Sequence, residues 1–327
     1  MYFHQTYLKT AAAALLVAAG TASVQAADAY PEHAIRVVVG FSPGGPTDVV
    51  ARAFAEQAAK TLGQPVIVEN KPGANTILAA DEVARAKPDG YTVLFGATNH
   101  TMIPALYSDR IKFDALKSFT PVCTVAASAS VLVTGPSLPV QSLGEVMNKV
   151  KAEPGVHTYA SPGTGSSGHF AGERFQRLTD TSLNHIPYKG AAQAVTDLMG
   201  GQVDASFATL GSVLPQIQTG KLKAIAVAAP ERSPFLPDVT TFDESGITGF
   251  YDGAWYGLLA PAGTPAPALE ALKKAATEFS KAPATKKMLD SMGMEVREIC
   301  GDEFGAQLQK EIADNTALAH GLHLDNN

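Results

Sequence analysis

Two glycine-rich stretches carry most of the chemistry legible in this chain, FSPGGPTD at 41–48 and PGTGSSG at 162–168. Each follows a β-prone stretch and precedes residues of helical spacing, so each reads as a strand-to-helix turn that lets backbone approach a ligand closely. N–H groups at a helix start lack partners within the helix and lie at the positive end of its dipole, which favours an anion. Thr47 or Asp48 is placed to cap the first helix, and Thr164, Ser166 and Ser167 offer hydroxyls beside the second. Neither turn has the lysine of GxxxxGK[ST], and GFSPGG is not GxGxxG, so a carboxylate fits better than a nucleotide.

A rival chemistry uses Ser166, His169 and Glu173 as a hydrolase. GTGSSGH is not the GxSxG elbow, and three residues at one helix start do not form a triangle of nucleophile, base and orienter. The histidines lack HExxH spacing, and neither Cys123 nor Cys300 has a second cysteine or a histidine at metal-ligand spacing in the sequence. The expectation is a binding protein that is not an enzyme and uses no metal or cofactor, with a Ser166 hydrolase as the alternative.

The elements that must position the two turns follow from periodicity. Short β-branched runs at 35–41, 65–70, 91–97, 156–161, 184–188, 203–209 and 222–229 read as strands. Helical spacing appears at 47–63, 77–90, 142–155 and 191–202, ending near glycine. This alternation predicts an α/β fold with mostly parallel sheets. Because the strand, glycine turn and helix occur twice, the chain is expected to form two lobes whose turns face each other across a central cleft. Strand ends around that cleft add Thr98, Asn99, His100 and Thr209 as candidate ligand contacts, with His100 placed to meet a second carboxylate. Asp204 is assigned to structural support, because an anion site gains nothing from a buried carboxylate.

Composition sets the setting. Residues 1–26 hold Lys9, the apolar run AAAALLVAAG and a small-residue end at Ala26, which predicts a cleaved signal peptide and a mature chain outside the cytoplasm. A net charge of -6 with no basic block argues against a nucleic-acid partner. With 46% hydrophobic and 17% charged residues, the remainder is an ordinary globular chain with room for two domains. In an oxidising compartment the two cysteines are expected to pair as Cys123–Cys300.

The motifs also run in a familiar order: FSPGGPTDVVAR, VENKPGAN at 68–75, AKPDGYTVLFG at 86–96, YASPGTGSSGHFAGE at 159–173, HIPYKGAAQAVTDLMGGQVDASF at 185–207 and WYGLLAPAGTP at 255–265. Over essentially the whole mature chain the sequence resembles the substrate-binding proteins of tripartite tricarboxylate transporters, the Bug receptors. The resemblance implies a periplasmic two-lobe receptor of the Venus-flytrap type, a monomer that holds a small carboxylate and delivers it to membrane permease subunits. It implies a site built on Phe41, Ser42, Pro43, Gly44, Gly45, Thr47 and Asp48 from one turn and Ser161, Thr164, Gly165, Ser166 and Ser167 from the other, with Tyr188, Gly190 and Ala191 nearby. Domain 1 is expected to comprise residues 27–127 and 253–327, and domain 2 residues 128–252. A sensor that reports a solute to a signalling system is the alternative within the same class.

Overall fold

The computed structural model describes residues 30–322; the predicted signal segment 1–26, and residues 27–29 and 323–327 of the expected first domain, lie outside the described residues. The first lobe opens with β1 (Ile35–Val39), α1 (Pro46–Leu62), β2 (Val66–Asn70), α2 (Ile77–Ala84), β3 (Thr92–Ala97) and α3 (Asn99–Tyr107). The long strand β4 (Phe119–Thr134) leads into α4 (Leu143–Ala152), β5 (Thr158–Ser161), α5 (Ser167–Thr179), β6 (Asn184–Pro187), α6 (Ala191–Met199), β7 (Ala205–Thr209), α7 (Leu210–Gln218) and β8 (Lys223–Val227). The chain returns through β9 (Gly253–Pro261), α8 (Ala266–Lys281), α9 (Pro283–Ser291), β10 (Glu295–Val296) and α10 (Gly301–Leu322).

Hydrogen bonding orders the strands β2-β1-β3-β9-β4-β7-β5-β6, with β8 and β10 also paired to β4. Outer pairs such as β1–β2 and β5–β6 are parallel, as their crossover helices require, whereas β4 and β9 run antiparallel to their neighbours. The sheet is therefore parallel at its flanks and antiparallel at its centre, where the chain passes between lobes. From Phe119 to Ala129, β4 pairs with β9; from Ser130 to Thr134 it pairs with β7. That exchange of partners puts both lobes on one continuous strand, close to the domain division proposed at 127/128.

Helices cover both faces of each half-sheet. In the first lobe, Val50 and Phe54 of α1 and Leu272 and Phe279 of α8 pack with Val37 and Phe95 on one face, while Ile103 and Phe304 pack with Val38 and Leu94 on the other. The second lobe repeats this with Phe175 and Phe207 on one side and Leu198 and Leu214 on the other. Apolar burial on both faces explains the near-continuous hydrophobic runs in the flanking strands. Cys123 and Cys300 are joined by a disulfide, and Thr124 N–H donates to the Ile299 carbonyl at 2.9 Å, so the segment before α10 is pinned to β4. Among the described residues, no helix is long and apolar enough to cross a membrane.

Candidate functional site

Five helices begin at one cavity. α1 starts after Gly45, α3 after Thr98, α5 after Ser166, α6 after Gly190 and α7 after Thr209. The cavity, of about 60 Å³, is lined by the first three residues of that kind and Thr209, with Ala191 representing α6. Around it the structure brings together Phe41, Ser42, Gly45, Thr47, Thr98, Asn99, Ser166, Ser167, Ala191 and Thr209 from the sequence expectation. Pro46, Ala97, Pro162, Ala254 and Tyr256 complete the lining and were not expected. Among the described residues, no Asp, Glu, Lys, Arg or His lines it. Its electrostatic character therefore comes from backbone: each helix start carries about half a positive charge and free N–H groups.

Tyr256 sits on β9 with 2% exposure, and burial pushes its phenol up to about 12, so it stays a neutral hydroxyl beside the Thr209 hydroxyl. Sequence reading misses it because an aromatic in the run WYGLLAP is indistinguishable from core.

The first turn departs from its expected capping. Gly45, in extended conformation, precedes a helix that starts at Pro46, with no side-chain cap. Proline suits that first position because its fixed φ matches the helix and its missing N–H is not needed there. Gly44, at φ +87°, is the position whose backbone favours glycine; Gly45 is not. Asp48 serves the back of the turn: its carboxylate accepts from Gly44 N–H at 3.0 Å, Arg52 Nε at 3.0 Å and Asn70 Nδ2 at 2.8 Å. Burial alone would raise its pKa, but these bonds outweigh it and hold the carboxyl below the usual range. Asp48 is thus a brace and not part of the cavity lining; Pro43 and Gly44 are exposed outside it.

The second turn is supported from within. Ser161 is fully buried, its Oγ 2.6 Å from His185 Nε2 and accepting Gly163 N–H at 3.2 Å, so it lies behind the turn. The Ser166 side chain accepts the His169 backbone N–H, His169 Nδ1 accepts Gly165 N–H at 3.1 Å, and Glu173 accepts the Tyr159 hydroxyl at 2.7 Å. Each of the three takes a different partner, and no relay from Ser166 through His169 to Glu173 forms.

Several expected contacts join the lobes instead of lining the cavity. The Thr164 carbonyl accepts the Tyr107 hydroxyl at 3.2 Å, and the Gly165 carbonyl accepts Asn75 Nδ2 at 2.9 Å. Gly165 has φ +80°, and a Cβ there would lie 2.8 Å from Leu106 and 2.9 Å from Asn75, so glycine is what permits this close approach. On the other rim, Ser42 Oγ donates to the Lys189 carbonyl at 3.1 Å, next to Gly190. Asn75 projects from a left-handed run, Ala74, Asn75 and Thr76, all with positive φ, which Asn99 Nδ2 holds through Thr76 Oγ1 at 2.9 Å. Such strain, of order 1–2 kcal/mol per residue, persists only where surrounding structure enforces it.

His100 and Tyr188 are corrections. His100 is 2% exposed, its Nε2 lies 2.8 Å from the Ala115 carbonyl and its ring stands edge-on to Phe119. Neighbours on a helix diverge by about 100°, so Asn99 faces the cavity while His100 faces the core. Tyr188 donates to Asp197 Oδ2 at 2.7 Å within the second lobe. Asp204 accepts from Thr158 N–H at 2.9 Å and Thr158 Oγ1 at 3.1 Å, tying β5 to the β7 approach.

Buried histidines make stability pH-dependent. Burial pushes His100 down to about 4, burial and then the adjacent His169 push His185 down to about 3, and burial lowers His169. Below about 6.5 the unfolded chain protonates these imidazoles while the folded chain does not, so folding is progressively disfavoured as pH falls. Asp252 works the other way, since burial raises its carboxyl to about 6 and the folded form takes up a proton first. One acid against three imidazoles leaves the net sign with the histidines. The melting temperature is expected to fall steadily between pH 6.5 and 4.5 in calorimetric scans; a flat or rising profile contradicts this assignment.

Comparison with known proteins agrees with the geometry. The family model described as tripartite tricarboxylate transporter family receptor matches residues 50–323. The structure of periplasmic binding protein BugD superposes with TM-score 0.85 at 34% identity, covering 90% of this chain and 99% of that one. MatC from Rhodopseudomonas palustris with bound malate gives TM-score 0.84 at 33% identity over 88% and 99% of the two chains. R. palustris Rpa4515 with adipate gives 0.86 at 28% identity over 90% and 98%.

Proposed function

The chain belongs to the tripartite tricarboxylate transporter receptor family, and on that premise we propose that it captures a small carboxylate between its lobes in the periplasm and delivers it to membrane permease subunits. The observation that carries this reading is the meeting of five helix starts on a cavity without a charged side chain. An anion there is neutralised by backbone dipoles and hydroxyls contributed by both lobes, so binding draws the lobes together. That MatC is seen with malate and Rpa4515 with adipate supports a carboxylate as the ligand class. The bonds Asn75–Gly165, Tyr107–Thr164 and Ser42–Lys189 must open to admit it, which makes them the rim of a closing cleft.

Calorimetry and thermal shift with succinate, malate, adipate and acetate test the reading, since a ligand that binds only the folded state raises its melting temperature. Small-angle scattering is expected to show the apo protein expanded relative to the bound one. Ser166→Ala is expected to weaken binding by about 1–2 kcal/mol, through loss of one hydroxyl near the anion. Absence of any carboxylate response overturns the proposal.

A further inference from the structure

His169 stands behind the second turn, outside the cavity lining, yet it holds that turn at two successive residues. Its backbone N–H donates to Ser166 Oγ at 3.4 Å, and its Nδ1 accepts Gly165 N–H at 3.1 Å. Ser166 lines the cavity, and the Gly165 carbonyl accepts Asn75 Nδ2 from the first lobe. One imidazole nitrogen is therefore a single hydrogen bond away from both the cavity wall and the contact that joins the lobes.

That bond requires a bare Nδ1, so the ring must be neutral with its proton on Nε2. A proton on Nδ1 would set N–H against N–H. Gly165 would have to turn away, taking its carbonyl off Asn75 and drawing Ser166 out of place. The surroundings also oppose a charge on the ring. His169 is 7% exposed, and its ring stacks on His185 of β6 with centroids 4.2 Å apart. The other titratable groups facing the turn are Tyr159 of β5, Tyr107 of α3 at the Thr164 carbonyl, and Glu173 on the same helix. Glu173 favours an imidazolium but already accepts Tyr159 Oη and Gln176 Nε2, and burial outweighs it, lowering His169. An imidazolium would attract an anion through the turn, yet the groups that grip the anion are those its formation displaces.

We propose that His169 is a positioning residue for the carboxylate: its neutral Nδ1 holds the second turn in binding geometry, so cleft closure expels a proton from this imidazole and opening takes one up. The inference rests on the carboxylate reading of the cavity. With the bonds from Asn75 and Tyr107 released, the turn is free to rotate and the ring titrates near its ordinary value of about 6.5. In the closed form it titrates lower, so affinity is complete above that value and is lost as pH falls below it.

Calorimetry with malate and adipate on wild type, His169→Asn and His169→Leu, between about pH 5.5 and 7.5, tests this. Asn sets an amide oxygen near the place of Nδ1 and does not titrate, whereas Leu fills the space without an acceptor. Wild type is expected to bind about three- to tenfold more weakly at the acid end, tenfold being roughly the limit for one proton over that interval. Near pH 6 its binding heat should vary with the ionisation enthalpy of the buffer, reporting a released proton. His169→Asn is expected to bind like wild type at the neutral end and to lose most of the pH dependence and the proton release. His169→Leu is expected to bind roughly five- to tenfold more weakly at the neutral end, through loss of the acceptor. The acids' own titration is common to all three proteins and cancels in the comparison. A flat wild-type profile, a profile for His169→Asn as steep as wild type, or undiminished binding by folded His169→Leu overturns the assignment and leaves the cavity reading intact. If neither acid binds wild type at any pH, the cavity reading itself fails and this inference falls with it.

Discussion

Ala191→Asp is expected to abolish carboxylate binding while leaving the protein folded. Ala191 is the first residue of α6 and lines the cavity, so the substitution puts a carboxylate where the ligand's own charge must sit. Two like charges about 5 Å apart at an effective dielectric near 20 repel by about 3 kcal/mol, a loss of more than a hundredfold in affinity. An acid in the first turn of a helix is favourable for the helix itself, so folding is not the casualty. Ala191→Asn adds the same bulk without the charge and serves as the control. Calorimetry on malate and adipate should show near-complete loss for Asp and no more than about a tenfold loss for Asn, steric bulk being worth roughly 1 kcal/mol at such a site. Equal behaviour of the two variants places the anion elsewhere, and unchanged circular dichroism separates binding from folding.

The second large effect is on stability. Removing the Cys123–Cys300 bridge as the double alanine variant is expected to destabilise the protein by about 3–5 kcal/mol, since the chain-entropy gain rises with the length of loop closed. Here the separation is 177 residues, enclosing the whole second lobe, so the unfolded chain loses an unusually large freedom when cross-linked. For a chain of this size the melting temperature should drop by roughly 10 °C. Cys123 is fully buried, so a packing loss adds to the entropic one. A drop under about 2 °C, the scale of 1 kcal/mol or less, shows that the bridge contributes little. The bridge lies in the first lobe and outside the cavity lining, so ligand affinity measured well below the melting temperature should be retained.

How much of this was legible in the sequence varies by element. The flanking strands, the helices α1, α2, α4, α5 and α6 and the two glycine turns could be read directly, because period-two and period-3.6 patterning and glycine before a helix are local properties. The antiparallel centre was not legible. FTPVCTVAASASVLVT forms the long strand β4, and whether its neighbours run with or against it depends on where the chain returns at β9, more than a hundred residues later.

The site divides the same way. Gly45, Thr47 and Ser166 could be nominated from the turns alone, and the preference for an anion follows from what a helix start is. The facing of each side chain was settled only by packing. Asn99 and His100 are adjacent, and the helical rotation sends one to the cavity and the other against Phe119. Asp48 reads as a capping or contact residue until Arg52, one turn further along α1, and Asn70 of β2 are seen to occupy it. Tyr256 and Ala254 gain a place in the cavity only because β9 runs between β3 and β4. Sequence by itself determined the local elements, the paired glycine turns and the sign of charge they favour, since these depend on residues within one turn of one another. Tertiary structure decided which of the nominated groups point inward, because that depends on contacts between segments far apart in the chain, and a rotation of one residue position exchanges core for cleft.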